Sequence, residues 1–560
     1  MGNMLNQDLQ AEVEKWIAED PDSNTRAQLQ ELLASGNEAE LKSCFSGFLE
    51  FGTAGLRGPL GPGPSRMNRA VVTKTAAGIA NYMKKHGMNS VVIGRDARHG
   101  SEDFTSDTAQ IMMGAGFKVF VLPRPLPTPV LAYTTRALKC DVGIMVTASH
   151  NPPQDNGYKV YLGGTVDGVF YDGSQIISPA DKQISAEIAA VAPLPTLPRA
   201  QGWTVLDESH VDAYVNATAT LARSHNSSSR NLKVVYTAMH GVGTETLTKV
   251  FTKAGFAAPI LVTAQANPDP NFSTVAFPNP EEPGAIDLAL ETARAQSADL
   301  VIANDPDADR CAVAIRDASI KDGSDGWRML RGDEVGALLG EYIARNNPPK
   351  DSVMANSIVS SSILSKIAKH YGVNFQETLT GFKWLSKLPN LAFAYEEALG
   401  YAVDTKSVND KDGISAALVV LQLATDLAGE GKTISDLLDE IWLRHGFHAT
   451  KQISVRTSSV QQIDGILGKF RNETPQEISG YRLLQFDDLE SPKDHLPPTN
   501  GVRMLLEGGT RIIIRPSGTE PKIKCYIEVV AQGPVAEAKI KASGVIDEIE
   551  QTLRKLLTTP

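Results

Sequence analysis

The chain has 560 residues, of which 42% are hydrophobic and 21% are charged. These values are typical of a globular protein that is too long for a single hydrophobic core. The formal net charge of −11 argues against nucleic acid as a partner, because binding a phosphate backbone requires a basic surface.

Cysteine usage and hydropathy together indicate the compartment. Four widely spaced cysteines form no disulfide or metal-ligand pattern, which is typical of inert thiols in a reducing environment. The N-terminal segment is too polar for a secretory signal, and no apolar run approaches the length of a membrane span. We therefore expect a cytoplasmic protein that has no membrane partner.

Apolar spacing predicts the elements in chain order. Residues 5–50 carry apolar residues at helical spacing, which predicts a helical N-terminal extension. A helix is predicted over 69–87, with Gly87 as its C-cap. Short β-rich runs alternate with helix-like segments, which predicts right-handed βαβ units with parallel or mixed sheets. The predicted strands lie at 91–94, 118–123, 141–148, 233–238, 258–264 and 299–305.

The pattern changes near Thr450, where hairpin-like strands replace the alternation and a closing helix is predicted over 534–556. The proline-rich stretch 191–203 is either a linker or a loop inside the first domain. We predict an α/β protein in which three similar domains precede an α+β domain. The predicted domains are 1–228 (with the helical extension), 229–348, 349–450 and 451–560.

A serine lies in a turn directly after a predicted strand. The segment VTASHNPPQDNGYKVY (146–161) places Ser149 and His150 in an Asn-Pro-Pro turn that continues neither helix nor strand. Open α/β sheets bind ligands at the carboxyl ends of their strands. An ordinary turn serine is the simpler interpretation of an isolated Ser-His pair. A serine hydrolase is disfavoured, because no G-x-S-x-G elbow occurs.

Three aspartates follow another apolar strand. In NDPDADR (304–310), Asp305, Asp307 and Asp309 alternate, so an extended loop can turn all three carboxylates toward one point. Carboxylates are hard oxygen ligands that suit Mg²⁺. Arg310 beside them could bind a phosphate. The alternative is a solvated acidic turn; an EF-hand is excluded because its glycine and distal glutamate are missing.

The C-terminal domain contains a predicted anion site. In IIIRPSGTEPKIKCYIEV (512–529), Arg515, Ser517, Gly518 and Thr519 combine a guanidinium, two hydroxyls and backbone N–H groups, and Lys524 lies on the following strand. A simple capping turn is the alternative interpretation of this spacing.

Three further segments offer polar groups, although each alone could be structural. TLTGFKWLSKL (378–388) contains Lys383, and AYEEALGYAV (394–403) contains Glu396 and Glu397, which could bind sugar hydroxyls. FGTAGLRG (51–58) is a glycine-rich loop with Arg57, but no Walker lysine follows it.

Taken together, these segments resemble the α-D-phosphohexomutase superfamily, which includes phosphoglucomutases and phosphomannomutases. FGTAGLRG, TASHNP, DPDADR, GFKW, EEALG and RPSGTEP occur in the family's order over nearly the whole chain. The resemblance implies four domains around a central cleft. FGTAGLRG, GFKW and EEALGY are most similar to the phosphoglucomutase and phosphopentomutase-like branch. Ala398 stands where many relatives have a serine, so the resemblance leaves glucose, mannose and pentose selectivity open.

The resemblance also implies roles for individual residues. Ser149 would carry the phosphoryl group, and its phosphate would complete a Mg²⁺ site with the three aspartates. Residues near the reacting hydroxyl would be Arg57, His150 and Lys159, with Lys159 favoured as general acid/base. Substrate would contact Arg310, Lys383 and Glu396. The non-reacting phosphate would be held by Arg515, Ser517, Gly518 and Thr519, with Lys524 nearby.

The implied activity is a reversible phosphosugar mutase reaction between the 1- and 6-positions of a hexose phosphate. It would pass through a phosphoserine and a hexose 1,6-bisphosphate, and the partner would be a small phosphosugar, with the protein a monomer or homodimer. A phosphopentomutase, a Mg²⁺-dependent sugar phosphatase and a silent sugar-phosphate sensor are the alternatives.

Overall fold

The computed structural model of the chain describes residues 6–52, 55–223, 232–317, 320, 326–457, 459–493, 495–517 and 522–558. The chain forms two compact units. The first unit comprises Met1–Arg316, Ile320–Met329 and Gly400–Gln422, and the second comprises Asp317–Ser319, Leu330–Leu399 and Leu423–Pro560. Residues 400–422 therefore return the chain to the first unit.

The N-terminal extension is helical, as its apolar spacing predicts. Its helices are α1 (Gln7–Glu19), α2 (Ser23–Ser35) and α3 (Glu38–Cys44). Each helix follows an Asn or Asp whose side chain accepts a hydrogen bond from a first-turn backbone N–H, and this N-cap compensates for a missing helical partner. One buried side chain from each helix, Val13, Leu29 and Leu41, forms a small shared core.

The first α/β sheet has eight strands in the order β1-β2-β6-β5-β3-β4-β10, with β9 paired to β6. Strands β1 to β10 are Phe51–Gly52, Gly55–Pro59, Ser90–Arg95, Lys118–Val121, Val142–Val146, Asp155–Leu162, Thr165–Val166, Val169–Phe170, Ser174–Gln175 and Thr204–Val205. Helices α4 to α8 are Arg69–Lys85, Ser101–Gly114, Thr128–Ala137, Ala180–Ala189 and Glu208–Ala219. The strands β3, β4, β5 and β10 are parallel, so their carboxyl ends lie at one edge.

The structure shows the position of the proline-rich stretch 191–203 and the end of helix α4. Strand β10 pairs with β4, so the proline-rich stretch 191–203 is a loop within this α/β layer and not a linker. Helix α4 ends at Lys85, and Gly87, with φ of 66°, follows the C-cap residue His86. The predicted cap is therefore displaced by one residue.

The second sheet, also in the first unit, has the order β12-β11-β13-β14-β15. Strands β11 to β15 are Val234–Thr237, Ile260–Leu261, Leu300–Ala303, Ala312–Arg316 and Trp327–Met329, and helices α9 and α10 are Gly243–Lys253 and Asp287–Gln296. The strands β11, β12 and β13 are parallel, whereas β14 and β15 run antiparallel. Of the predicted strand 258–264, only Ile260–Leu261 forms a strand.

The second unit begins with an α/β layer in which β16 pairs in parallel with β17 and β18. Its elements are α11 (Gly332–Arg345), β16 (Val353–Ser357), α12 (Ile363–Tyr371), β17 (Asn374–Thr378), α13 (Phe382–Leu385), β18 (Leu391–Glu396) and, after residue 422, the end of α14 (Gly413–Gly429) and α15 (Ile434–His445). Strand β19 (Gly400–Ala402) and the first part of α14 lie in the segment 400–422 of the first unit. The carboxyl end of β18 is Glu396, one of the predicted site residues.

The last part of the second unit is a six-stranded antiparallel sheet in the order β20-β25-β24-β23-β22-β21, as the hairpin-like pattern predicts. Strands β20 to β25 are Phe447–Arg456, Glu477–Ile478, Tyr481–Asp488, Val502–Leu506, Arg511–Pro516 and Lys522–Ala531, and helices α16 and α17 are Val460–Asn472 and Val535–Thr558. The exact domain boundaries stay predictions.

Among the described residues, no single helix is long and apolar enough to cross a membrane. One pair, α14 and α15, passes such a test together by length and composition, but it is bent by 91°.

Candidate active site

Ser149 lies three residues beyond the end of β5, at the carboxyl edge of the first sheet. Its φ of 52° is in the left-handed region, which a non-glycine residue adopts only when its surroundings hold it there. Its backbone N–H donates to Thr147 Oγ1 at 2.9 Å. The buried hydroxyl donates to Asp305 Oδ2 at 2.7 Å and lies 3.2 Å from His150 Nδ1. The serine is therefore oriented by contacts on both sides.

Arg98 holds the serine loop in this conformation. Its guanidinium donates to the carbonyls of Ser149 and Asn151, both at 2.6 Å, and to those of Pro152 and Asp155 at 2.8 and 3.1 Å. The side chain is only 1% exposed. A planar guanidinium presents five N–H donors spread over three nitrogens, whereas the three donors of a lysine all lie on one nitrogen and cannot serve these four carbonyls in the same geometry. Arg98 is not predicted from the sequence, because its partners are backbone atoms.

The three aspartates meet in one buried cluster, as their alternation predicts. One carboxylate oxygen from each of Asp305, Asp307 and Asp309 lies within 4.8 Å of the others, and all three side chains are buried. Ala308 between them has a φ of 55°, so the loop turns sharply after β13. The solvated-turn alternative is wrong, since these carboxylates are shielded from solvent.

Two of these carboxylates have unused acceptors. Oδ1 of Asp307 and Oδ1 of Asp309 are buried and receive no hydrogen bond from the part of the chain that the structure describes. A buried acceptor without a partner is costly, so such atoms indicate a missing ligand. Hard carboxylate oxygens beside a serine hydroxyl suit Mg²⁺. The residues present therefore fit this cation.

Two lysines contact the aspartate cluster. Lys159 on β6 is fully buried, and its ammonium lies 2.7 Å from Asp307 Oδ2 and 2.8 Å from Asp309 Oδ2. Lys411 lies 3.3 Å from the same Asp309 oxygen. Lys159 is among the residues predicted at the site, whereas Lys411 is not. The only signal for it was a charged Asp-Lys-Asp-Gly turn before an apolar helix.

The carboxylates differ in their affinity for a proton. Burial, followed by the charges of Asp307 and Asp309, raises the pKa of Asp305 to about 8. Burial acts in the same direction on Asp309, but Lys159, Lys411 and Arg310 outweigh it and lower the pKa below its ordinary range. The pKa of Asp307 is also lowered: burial and Asp309 act to raise it, and Lys159 outweighs them. The cations therefore hold two of the three carboxylates ionised.

His150 and Arg57 are half-buried near the same charges. Burial, reinforced by Arg310 and Arg57, lowers the pKa of His150 well below its ordinary value, so its imidazole is neutral at pH 7. Arg57 on β2 interacts electrostatically with Asp307 and Asp309. Arg310 lies 3.9 Å from Asp305 Oδ2 and 3.7 Å from Glu281. All the residues predicted near the reacting hydroxyl therefore share this part of the first unit.

The second unit contains the remaining predicted residues. Glu396 ends β18, and its Oε1 accepts from the backbone N–H of Gly381, two residues before Lys383. Glu397 accepts from the hydroxyls of Ser360 and Ser357 at 2.8 and 3.2 Å. The GFKW and EEALG segments are thus neighbours in space.

The predicted anion site lies on a hairpin of the second unit. Arg515 on β24 pairs in register with Lys524 on β25, and Ser517 N donates to Lys522 O at 2.8 Å. These contacts place a guanidinium and an ammonium on adjacent strands. Gly518 and Thr519 lie outside the described residues.

Four models of the phosphoglucomutase/phosphomannomutase family match the chain in order between residues 49 and 541. The α/β/α domains I, II and III match residues 49–193, 212–319 and 331–445, and the C-terminal domain matches 453–541. A "Probable phosphomannomutase" of Haemophilus influenzae is 46% identical over 88% of this chain and 98% of that protein. The chain belongs to the phosphoglucomutase/phosphomannomutase family.

Other relatives extend this result. A phosphopentomutase of Mus musculus is 37% identical over 93% of this chain and 90% of that protein. The solved structure of a phosphoglucomutase/phosphomannomutase family protein from Burkholderia thailandensis covers 90% of this chain and 96% of its own, with a TM-score of 0.68 and 19% identity, which supports the fold. The predicted superfamily and four-domain fold class are confirmed. The protein is an enzyme of the isomerase class, an intramolecular phosphotransferase.

Replacing Arg98 with lysine should lower kcat by roughly 10- to 100-fold, because the serine loop loses its multidentate donor and a displacement of about 1 Å can cost that much. The charge beside Asp96, 3.3 Å away, is retained, so unfolding by urea should change far less than in R98A. R199K is the matched control, since Arg199 binds Asp107 and Thr73 instead. Equal loss of activity in both variants would contradict this role.

Asp307→Asn should raise the Mg²⁺ concentration needed for half-maximal activity, and lower kcat, each by roughly 100-fold, because an amide replaces an anionic ligand. Magnesium titration of the mutase rate measures both effects. D287N, at the exposed start of α10, should titrate like the wild type. An unchanged titration of D307N would mean that the aspartates form only an internal ion-pair cluster.

Proposed function

We propose that the enzyme reversibly transfers a phosphoryl group between the 1- and 6-positions of a hexose phosphate, by way of a phosphoserine at Ser149 and a hexose 1,6-bisphosphate. The observation that carries this proposal is the position of the serine. Its hydroxyl is buried and lies 2.7 Å from the first of three clustered carboxylates, beside buried cations. Such a site can hold a phosphoryl group while most water is excluded.

In the proposed cycle, Ser149 begins phosphorylated. A free sugar hydroxyl forms a bond to phosphorus, the bond from phosphorus to Ser149 Oγ breaks, and the hydroxyl proton passes to a base. The bisphosphate then presents its other phosphate, which returns to Oγ by the reverse step. Transfer of this kind depends on positioning and charge neutralisation more than on covalent activation.

The residues of the first unit would bind the metal, contact the phosphoryl group and transfer the proton. Asp305, Asp307 and Asp309 would hold Mg²⁺, which when bound would supply positive charge to the phosphoryl oxygens. Arg57 and Arg310 would contact the phosphoryl group. The assignment of Lys159 as general acid/base stays a prediction; its Nζ lies within 2.8 Å of two of these carboxylates. His150 Nδ1 lies 3.2 Å from Oγ, and we assign His150 to the surroundings of the reacting hydroxyl.

The residues of the second unit are assigned to the rest of the substrate. We assign sugar contacts to Lys383 and Glu396. We assign the non-reacting phosphate to Arg515, Ser517, Gly518, Thr519 and Lys524. The pairing of Arg515 with Lys524 supports this assignment, because two cations on adjacent strands favour an anion.

A hexose substrate is supported by the family models and by the 46% identical relative named as a phosphomannomutase. Phosphopentomutase is the second candidate, because a relative with that name is 37% identical over 93% of this chain. Ala398 removes a hydroxyl from the sugar loop and favours neither. Rates with glucose, mannose and ribose phosphates, each with a trace of glucose 1,6-bisphosphate, decide between them.

Ser149→Ala should abolish isomerisation, with a loss of more than about 10⁴-fold, while thermal unfolding stays near that of the wild type. Intact-mass measurement of active enzyme should find one phosphate, mapped to Ser149 and absent from the variant. S185A, which changes an exposed serine on α7, is the control. Full activity in S149A would end the proposal, and steady release of inorganic phosphate without isomerisation would indicate a phosphatase.

Arg515→Ala should lower kcat/KM by roughly 30- to 1000-fold, the value of a charge-assisted bidentate contact to phosphate. Slow hydrolysis of the phosphoserine by water should change less, since that reaction uses no second phosphate. R482A, which removes an exposed arginine paired with Glu507, should leave both rates unchanged. Equal losses in both reactions of R515A would show that Arg515 supports the fold or the chemistry directly.

A further inference from the structure

The second ammonium group at the aspartate cluster comes from a distant part of the sequence. Lys411 follows Asp309 by 102 residues and lies in the segment 400–422, which returns to the first unit. Its ammonium is 3.3 Å from Asp309 Oδ2, the oxygen that Lys159 also contacts at 2.8 Å. Its side chain is 10% exposed. A long, flexible side chain at such a place needs groups that fix its direction.

The preceding residue supplies a fixed carboxylate. Asp410 is buried, and its Oδ2 accepts from the Tyr161 hydroxyl at 2.9 Å and from Gln175 Nε2 at 2.7 Å. Its other oxygen, Oδ1, accepts from the Lys411 backbone N–H at 2.8 Å and lies 3.6 Å from the Lys411 ammonium. One oxygen of Asp410 therefore binds the sheet, and the other faces Lys411.

The donors to Asp410 lie on rigid elements of the first sheet. Tyr161 is two residues after Lys159 on β6, so the two side chains project from the same face of the strand. Gln175 on β9 is the register partner of Tyr161. The same strand thus places one ammonium directly, through Lys159, and the second indirectly, through Asp410.

The backbone beside Lys411 is also shaped to its side chain. A Cβ on Gly400 would lie 2.4 Å from Lys411 Cδ, so the aliphatic part of the lysine lies directly against this glycine. Two other contacts hold the loop without touching the lysine. Asn409 donates to Tyr171 O at 2.9 Å, and the Tyr214 hydroxyl donates to Asp412 Oδ1 at 2.9 Å.

We infer that Asp410, held by Tyr161 and Gln175, is a positioning residue that fixes the Lys411 ammonium beside Asp309. The inference rests on the proposed function, because it assigns Asp410 a part in the same phosphoryl-transfer site. A purely structural Asp410 would anchor the loop as Asp412 does, and its loss would act independently of Lys411. The two roles therefore predict different activities for a variant that lacks both Asp410 and Lys411.

A double-mutant cycle on the full-length enzyme separates them. With glucose 1-phosphate, or ribose 1-phosphate if that is the better substrate, D410A should lower kcat/KM by roughly 10- to 100-fold. In a K411A background, the same change should cost less than about twofold, because the residue through which Asp410 acts is already gone. If the losses of kcat/KM in D410A and K411A multiply in the double variant, Asp410 acts independently of Lys411 and the inference is overturned.

Y214F is the matched control, because it removes a hydroxyl that holds the same loop through Asp412. Its effect on kcat/KM should be small and should be the same with and without K411A. A coupling to K411A as strong as that of D410A would mean that loop anchoring in general, and not Asp410, positions the lysine.

Y161F removes the hydroxyl that donates to Asp410, and its effect can be measured without an activity assay. This variant therefore tests the inference even if D410A does not fold. Acetic anhydride labelling, quantified by peptide mass spectrometry, should modify Lys411 several-fold faster in Y161F than in the wild type, with Lys159 unchanged. Unchanged Lys411 labelling would overturn the inference. Wild-type activity in K411A would do so too, and leave the proposed function intact, whereas an active S149A would refute the proposed function itself.

Discussion

The structure of the first unit depends on keeping three carboxylates together in a buried cluster. Asp305, Asp307 and Asp309 repel one another and lose hydration, and either effect alone would favour their protonation. Buried cations offset this cost: Lys159 and Lys411 bind the carboxylates directly, and nearby arginines add positive charge. Removal of one cation would leave an uncompensated buried charge, so the cluster requires all its elements to be in place.

This constraint explains why the site draws on so many separate elements. The loop after β13 supplies the aspartates, β6 supplies Lys159, and the returning segment 400–422 supplies Lys411. Arg98 donates to three carbonyls of the serine loop and to that of Asp155 at the start of β6, which orients the serine hydroxyl toward the cluster. Charges fixed in advance in a buried site stabilise a transferring phosphoryl group without reorganising during the reaction. The cost of assembling the cluster is thus met during folding and not in the catalytic step.

A site residue could be predicted from the sequence when the pattern that indicates it lies within a few residues of it. Ser149 and the aspartates each follow an apolar strand, so their place at the carboxyl edge of a sheet follows from local pattern. Lys411 and Asp410 could not be found this way, because their partners Asp309, Tyr161 and Gln175 are more than 100 residues away. Arg98 could not be predicted for a different reason. It binds backbone carbonyls, which every residue has, so the residue types of the loop do not indicate the contact. The ends of the strand predicted over 258–264 could not be predicted from local pattern either, because they depend on pairing with β11, which involves only Ile260–Leu261.

The central claim is that one phosphoryl group moves from Ser149 to the sugar and that another returns. The most direct measurement is a single turnover of enzyme carrying ³²P at Ser149 with unlabelled glucose 1-phosphate in excess. The label should leave the protein within one turnover and appear in sugar phosphate, and the protein should again be phosphorylated, by unlabelled phosphate. Isomerisation while the label stays on the protein, or release of the label only as inorganic phosphate, would contradict the central claim.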